Sequence, residues 1–135
     1  NEVKKAGAHI VEIDVTDDAS VEKGVKQSLA AAGGIDVVVN NAGVGVLGLQ
    51  ESFTPADWRK LFELNVFGVQ RVNRAVLPHM IARQRGQIIN MGSISGLIGT
   101  PTYSIYAASK KAKAPGRPSS GSSRMNCGSI LINAT

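Results

Sequence analysis

Residues 93–110 read Ser-Ile-Ser-Gly-Leu-Ile-Gly-Thr-Pro-Thr-Tyr-Ser-Ile-Tyr-Ala-Ala-Ser-Lys. If Tyr106 opens a helix, Lys110 lies one turn further along the same face. An ammonium beside a phenol favours the phenolate, which suits such a pair to moving a proton. Ser93 closes the apolar run Gln87–Met91, which reads as a short strand. Strand C-termini are where open α/β sheets bind ligands. Taken alone, Ser93 is equally a turn or helix-cap serine.

Upstream, the chain alternates strand and helix patterns. His9–Val15 is β-branched and reads as a strand. Thr16, Asp17 and Asp18 offer N-cap oxygens, and Val21, Val25 and Leu29 mark one helix face to about Ala32. Gly33 and Gly34 end that helix. Ile35–Val39 is an apolar strand broken only by Asp36, as for a strand covered on both faces. Asn40-Asn41-Ala42-Gly43 closes it, and a glycine-rich loop follows to about Phe53. Thr54, Pro55 and Asp57 start a second helix. Trp58, Leu61 and Phe62 set its buried stripe, and Asn65, Val69, Val72 and Val76 continue it. That helix is expected to run towards Arg85, with a kink at Pro78, and to break at Gly86. Alternation of this kind predicts a parallel α/β sheet.

Composition narrows the class. The 135 residues are 43% apolar and 19% charged, enough for one domain with a sizeable core. No run is long enough to span a bilayer. Cys127 is the only cysteine, so no intrachain disulfide forms, and a reducing, cytoplasmic setting is expected. His9 and His79 lack metal-ligand spacing. The net charge is +5, and all acidic residues lie at or before Glu63. A basic second half reads first as a solvated basic face with an odd tail, and alternatively as a field for an anionic ligand such as a phosphorylated cofactor. It carries no nucleic-acid motif. The first residues read like the end of a helix entered from something upstream, which suggests a fragment.

Asn65 is a polar residue on a buried stripe. Its plain reading is an asparagine bonded to neighbouring backbone at a helix irregularity. Asn41, Ala42 and Gly43 alone read as a turn. Asp14 reads equally as part of a helix cap with Asp17 and Asp18.

Their order along the chain gives a second reading. From Ala8 to Lys111 the chain resembles the short-chain dehydrogenase/reductase family. The resemblance rests on Asn40-Asn41-Ala42-Gly43 after the strand, Asn65 in the long helix, Ser93, and Tyr106-Ala-Ala-Ser-Lys110. It implies a Rossmann-type doubly wound parallel sheet, here incomplete because the first two strands and the glycine-rich loop are absent. It implies hydride exchange between an alcohol/carbonyl pair and NAD or NADP. Tyr106 becomes the general acid/base, Ser93 a donor to the substrate oxygen, and Lys110 a partner of Tyr106 and of the nicotinamide ribose. Asn65 holds a water that links Lys110 to solvent. Asp14 and Val15 match the adenine-contacting pair. Asn41, Ala42, Gly43, Tyr106 and Lys110 line the cofactor side, while Ser95, Gly96 and Pro101 shape the substrate pocket. The partners implied are a small-molecule substrate and a second copy of the intact family member, with neither nucleic acid nor membrane.

Two departures qualify this. No Thr-Gly-x-x-x-Gly-x-Gly loop occurs, which leaves cofactor binding compromised. After Lys111 the family's helix continues, whereas Lys113–Ser123 is rich in Pro, Gly and Ser, as after a shifted reading frame. Residues 1–112 thus read as a partial Rossmann-like domain and 113–135 as a divergent, disordered tail with a last strand-like run, Ser129–Thr135. An inactive remnant acting through an intact homologue is the alternative function.

Overall fold

The computed structural model describes residues 7–99 and 101–113. The tail beyond Lys113, with its strand-like end, lies outside the described residues.

Helix α1 (Asp18–Ala32) starts where local chemistry dictates. Asp17 is its N-cap, accepting from the Ser20 amide at 2.6 Å. Gly33 ends it in the left-handed region at φ 70°, donating to Leu29 O at 2.9 Å. Strand β1 (Val37–Asn40) pairs in parallel with β2 (Gln87–Asn90), Val38 opposite Ile88 and Asn40 opposite Asn90. Between them, helix α2 (Pro55–Phe62) opens with a capping box. There Thr54 Oγ1 accepts from the Asp57 amide, and the Asp57 carboxylate accepts from the Thr54 amide at 2.9 Å.

The long second helix is divided. A π-turn, Glu63–Phe67, separates α2 from α3 (Gly68–Ala82), and Asn65 lies inside it. Pro78 sits within α3. The helix stops at Ala82, before Gly86, because Gln84 turns left-handed at φ 51°. Gln84 donates to Ile81 O and Arg85 to Met80 O, at 3.0 and 3.1 Å. This pair of bonds is a Schellman closure with glutamine in the position that glycine usually holds.

His9–Val15 forms no strand. A strand exists only with a partner, and among the described residues no ladder runs beside this segment. Its side chains still pack: Ile13 and Val15 lie against the core. That core is Val21 and Val25 of α1, Ile35, Val38 of β1, and Val76 and Met80 of α3. Val38 is wholly buried, while Val37 and Val39 are half-buried. Helices α1 and α3 cover one face of β1, and the other is only partly covered among the described residues. The expectation of a strand covered on both faces is met fully on one face and in part on the other.

The last helix, α4 (Ser104–Ala112), opens two residues before Tyr106. Tyr103 is the cap, and its carbonyl accepts from Ala107 at 2.7 Å. A short 3-10 turn, Ile94–Gly96, precedes it.

Gln84 bears the steric penalty of a left-handed residue on an exposed surface. Gln84→Gly is expected to raise stability by about 0.5–1 kcal/mol, the gain being trimmed by the freer unfolded chain. Denaturant midpoints at unchanged slope check this.

Candidate active site

The site is built at the carboxyl ends of β1 and β2. Beyond β1 the turn 41–43 is exposed. Beyond β2, Met91 donates its amide to Asn40 O at 3.1 Å and offers its own carbonyl to Lys110 Nζ at 3.3 Å. Lys110 is 7% exposed and its ammonium lies 5.6 Å from the centre of the Tyr106 ring. The four-residue spacing of Tyr106 and Lys110 on α4 thus places charge beside phenol. Tyr103 rests against Tyr106, ring centres 5.8 Å apart.

Asn65 closes the group. It has no exposed surface, and both ends of its amide are used. Oδ1 accepts from the Val44 amide at 3.0 Å, and Nδ2 donates to Val44 O and to Ser109 Oγ, each at 3.0 Å. Ser109 donates in turn to Tyr106 O at 2.8 Å. One buried side chain therefore ties the loop after β1 to the helix that carries Tyr106. Gly43 allows this closeness, since a Cβ there would sit 2.9 Å from Asn65 Oδ1 and 3.8 Å from Lys110 Nζ. At Gly45 a Cβ would lie 3.7 Å from Tyr106 Cε2. The plain reading of Asn65, a backbone-bonded asparagine at a helix irregularity, is the geometry observed.

Ser93 is half-buried and accepts from the Ser95 amide at 3.2 Å, capping the 3-10 turn. That turn packs on α4 at Gly96, where a Cβ would meet Lys110 C and O at 3.0 and 3.1 Å. Asp14 and Val15 stand apart from this cluster. Asp14 is exposed, and its carboxylate accepts from Thr16 Oγ1 at 2.7 Å and the Thr16 amide at 2.9 Å. The Thr16 hydroxyl and then its amide hold the Asp14 carboxyl below the usual carboxylate range. Asp14 borders a shallow polar hollow with Glu12, Ser20 and Lys23. The helix cap itself belongs to Asp17, not Asp14.

A cavity of about 570 Å³ lies behind the loop, lined by Val44, Val46, Phe53, Leu61, Leu64 and Ile105 among others. Alternation along the loop explains it. Gly43 and Gly45 approach Asn65, Lys110 and Tyr106, while Val44 and Val46 line the cavity.

Two contributors stood in the quoted motifs but were given no role by the sequence reading. Ser109 stood within the quoted motif, and its signal was a polar residue three after Tyr106. Asn40 is 6% exposed and donates to Asn73 Oδ1 at 2.8 Å and Asn90 Oδ1 at 2.9 Å, joining both strands to α3. The strand register sets Asn40 beside Asn90, and the packing of α3 on the sheet brings Asn73 to them.

The structure thus places a Tyr/Lys pair and a small-residue turn at the strand ends of a parallel α/β unit. The model of the short chain dehydrogenase family matches residues 1–114. The chain belongs to the short-chain dehydrogenase/reductase family, with a Rossmann-type α/β fold. It is 42% identical over 100 residues to the 3-ketodihydrosphingosine reductase of Bacteroides thetaiotaomicron, covering 74% of this chain and 37% of that one. It superposes on a short-chain dehydrogenase from Streptomyces avermitilis with TM-score 0.77 and 38% identity, covering 82% of this chain and 42% of the other. A gluconate 5-dehydrogenase from Burkholderia cenocepacia, solved with NADP and tartrate, gives TM-score 0.70 and 41% identity, covering 74% and 39%. The chain thus spans well under half of each. Among the described residues no helix is long and apolar enough to cross a membrane, and no His/Cys/Asp/Glu group could hold a metal.

Gly96→Ala would push a methyl group against the Lys110 backbone, with no flexible side chain to yield. A loss of about 1–3 kcal/mol is expected, measured by denaturant unfolding.

The Lys113 ammonium is buried with no hydrogen-bond partner among the described residues. Burial first, and the Lys110 charge second, push it down to about 8. The unfolded chain therefore binds more protons than the folded one between that value and the ordinary 10.5. Stability should rise with pH across that window, and Lys113→Met should flatten the rise. Unfolding measured at a series of pH values checks the slope.

Proposed function

We propose that this chain carries the acid–base machinery of an NAD(P)-dependent oxidoreductase that interconverts an alcohol and a carbonyl. The observation behind this is the buried Lys110 ammonium, anchored to Met91 O and set 5.6 Å from the centre of the Tyr106 ring at the sheet's carboxyl end. The nicotinamide supplies or takes the hydride when bound. The residues present suit such a group: the exposed 41–43 turn allows close backbone approach. Lys110 uses one of its three N–H donors on Met91 O, leaving others for ribose hydroxyls. Asp14 and Val15 would meet the adenine end, away from the reacting atoms.

In the reductive direction the Tyr106 hydroxyl gives its proton to the substrate oxygen. Lys110 stabilises the negative charge then left on the phenol oxygen. Ser93 donates to the same substrate oxygen, its O–H hydrogen being left free because the hydroxyl only accepts from the Ser95 amide. In oxidation the proton returns by the same route. Both Nδ2 protons of Asn65 are already engaged. A relay water would therefore bind elsewhere on that residue, at its backbone carbonyl or the second lone pair of Oδ1. The substrate class is a small-molecule carbonyl or alcohol, the setting cytoplasmic, and the intact protein a homo-oligomer.

A second reading is that these 135 residues bind cofactor weakly by themselves and act through an intact relative. It rests on the lack of a glycine-rich pyrophosphate loop in this sequence. Titration of the chain with NADH and NADPH separates the two: micromolar binding with turnover of carbonyl substrates favours the first. Where turnover occurs, Tyr106→Phe should lower kcat by about 10²- to 10⁴-fold, as expected for loss of a general acid. A smaller fall would remove Tyr106 from that role.

A further inference from the structure

The π-turn that holds Asn65 is bracketed by one ion pair. Glu63 is its first residue, and the Glu63 carbonyl accepts from Gly68, five residues on, the bond that defines the turn. The Glu63 carboxylate receives Arg71 Nη2 from the first turn of α3. Arg71 Nε also reaches Asp18 Oδ1 at 3.2 Å, at the start of α1.

The spacing is informative. Eight residues along a straight α-helix turn through about 800°, leaving two side chains about 80° apart. Seven residues leave them about 20° apart, one above the other across two turns. Glu63 and Arg71 are eight apart, yet they meet. The extra residue in the π-turn supplies the correction, so the pair forms well only in the π register. Arginine is long enough to span the two turns, and helical side chains lean towards the N-terminus, which aims Arg71 back at Glu63.

The same extra residue places Asn65. Buried positions run Leu61, Asn65, Val69, in steps of four. In a uniform α-helix those steps drift about 40° each. Relaxed to α geometry, the segment would rotate Asn65 relative to α3 and draw its amide from Val44. The downstream end is fixed too: Gly68 abuts Val15, where a Cβ would lie 2.8 Å from Cγ2 and 3.2 Å from the backbone oxygen.

We propose that the Glu63–Arg71 pair is a register lock on this π-turn, and that both are positioning residues acting through Asn65 on the loop after β1 that packs against Tyr106. The site consequence rests on the function proposed above, while the register itself does not. Other charges near the pair do not replace it. Asp18 is 66% exposed on its side chain and lies outside the turn, whereas Arg71 is 18% and Glu63 40% exposed. Arg71 Nη1 is buried without a partner among the described residues. Such a guanidinium is a poor source of net stability, and its use lies in choosing one arrangement over another.

The test is a double-mutant cycle in the full chain, read by hydrogen exchange at the Val44 amide, which bonds Asn65 Oδ1. The Met91 amide, bonded to Asn40 O across the sheet, serves as the internal control. Glu63→Gln and Arg71→Met should each speed Val44 exchange relative to Met91 by about two- to fivefold, the range for a partly exposed pair. The double variant should be no faster than either single one. Asp18→Asn should leave the ratio unchanged. If Val44 exchange stays constant in both single variants, the effects add in the double, or Asp18→Asn matches them, the lock is refuted. Glu63→Gln is nearly isosteric and keeps the test open should Arg71→Met unfold. Failure of turnover in the parent chain would count against the proposed function and leave the exchange result to decide the lock.

Discussion

The Asn65 carboxamide pairs with both the N–H and the C=O of Val44, at 3.0 Å each, as a neighbouring strand would. The whole site depends on this bond pair. Its Asn65 side is wholly buried and fully satisfied, so losing Val44 as partner would leave a carboxamide stranded away from water. Because Val44 is held at both backbone atoms, its neighbours have fixed facings. The glycines turn to Lys110 and Tyr106, and the valines turn to the cavity behind. Through Ser109 the same carboxamide also sets the first turns of α4, the helix that bears the Tyr/Lys pair.

What was legible in the sequence was what is decided locally. The caps at Asp17, Thr54 and Gly33 depend on residues within one turn, and all fell where the side-chain chemistry placed them. Tyr106 and Lys110 meet because helical spacing alone brings them together. The segment His9–Val15 has strand composition, but a ladder needs a neighbour, and composition does not report one. That the irregularity at Asn65 is a π-turn was not legible, for a different reason. An apolar stripe in steps of three and four fits both an α-helix and a helix with one residue inserted. Only the place of Asn65 on that stripe, a polar residue among buried ones, hinted at it.

The site was legible in its catalytic motif and less so in its support. Ser109 and the Asn40–Asn73–Asn90 cluster gain meaning only from contacts across 44, 33 and 50 positions. Ser93 illustrates the opposite case. It lies just beyond β2, as the sequence reading had it, and its hydroxyl does both jobs named there: it caps the turn as an acceptor from the Ser95 amide and keeps its own hydrogen to donate.

The two ends of the small sheet are fastened by different kinds of bond. At the entry to β1, Asp36 holds Arg83 and Arg85 at 3.1 and 2.9 Å. The Arg85 hydrogen bond foremost keeps that carboxyl below the usual carboxylate range. This clamp is full above the ordinary value of 3.8 and is lost as acid protonates the group below it. Salt weakens it as well. At the exit, Asn40 joins Asn73 and Asn90 through neutral amides that neither protons nor salt discharge. Acid or brine would therefore loosen the charged fastening at the entry and leave the amide fastening at the exit, beneath Tyr106 and Lys110, as it is.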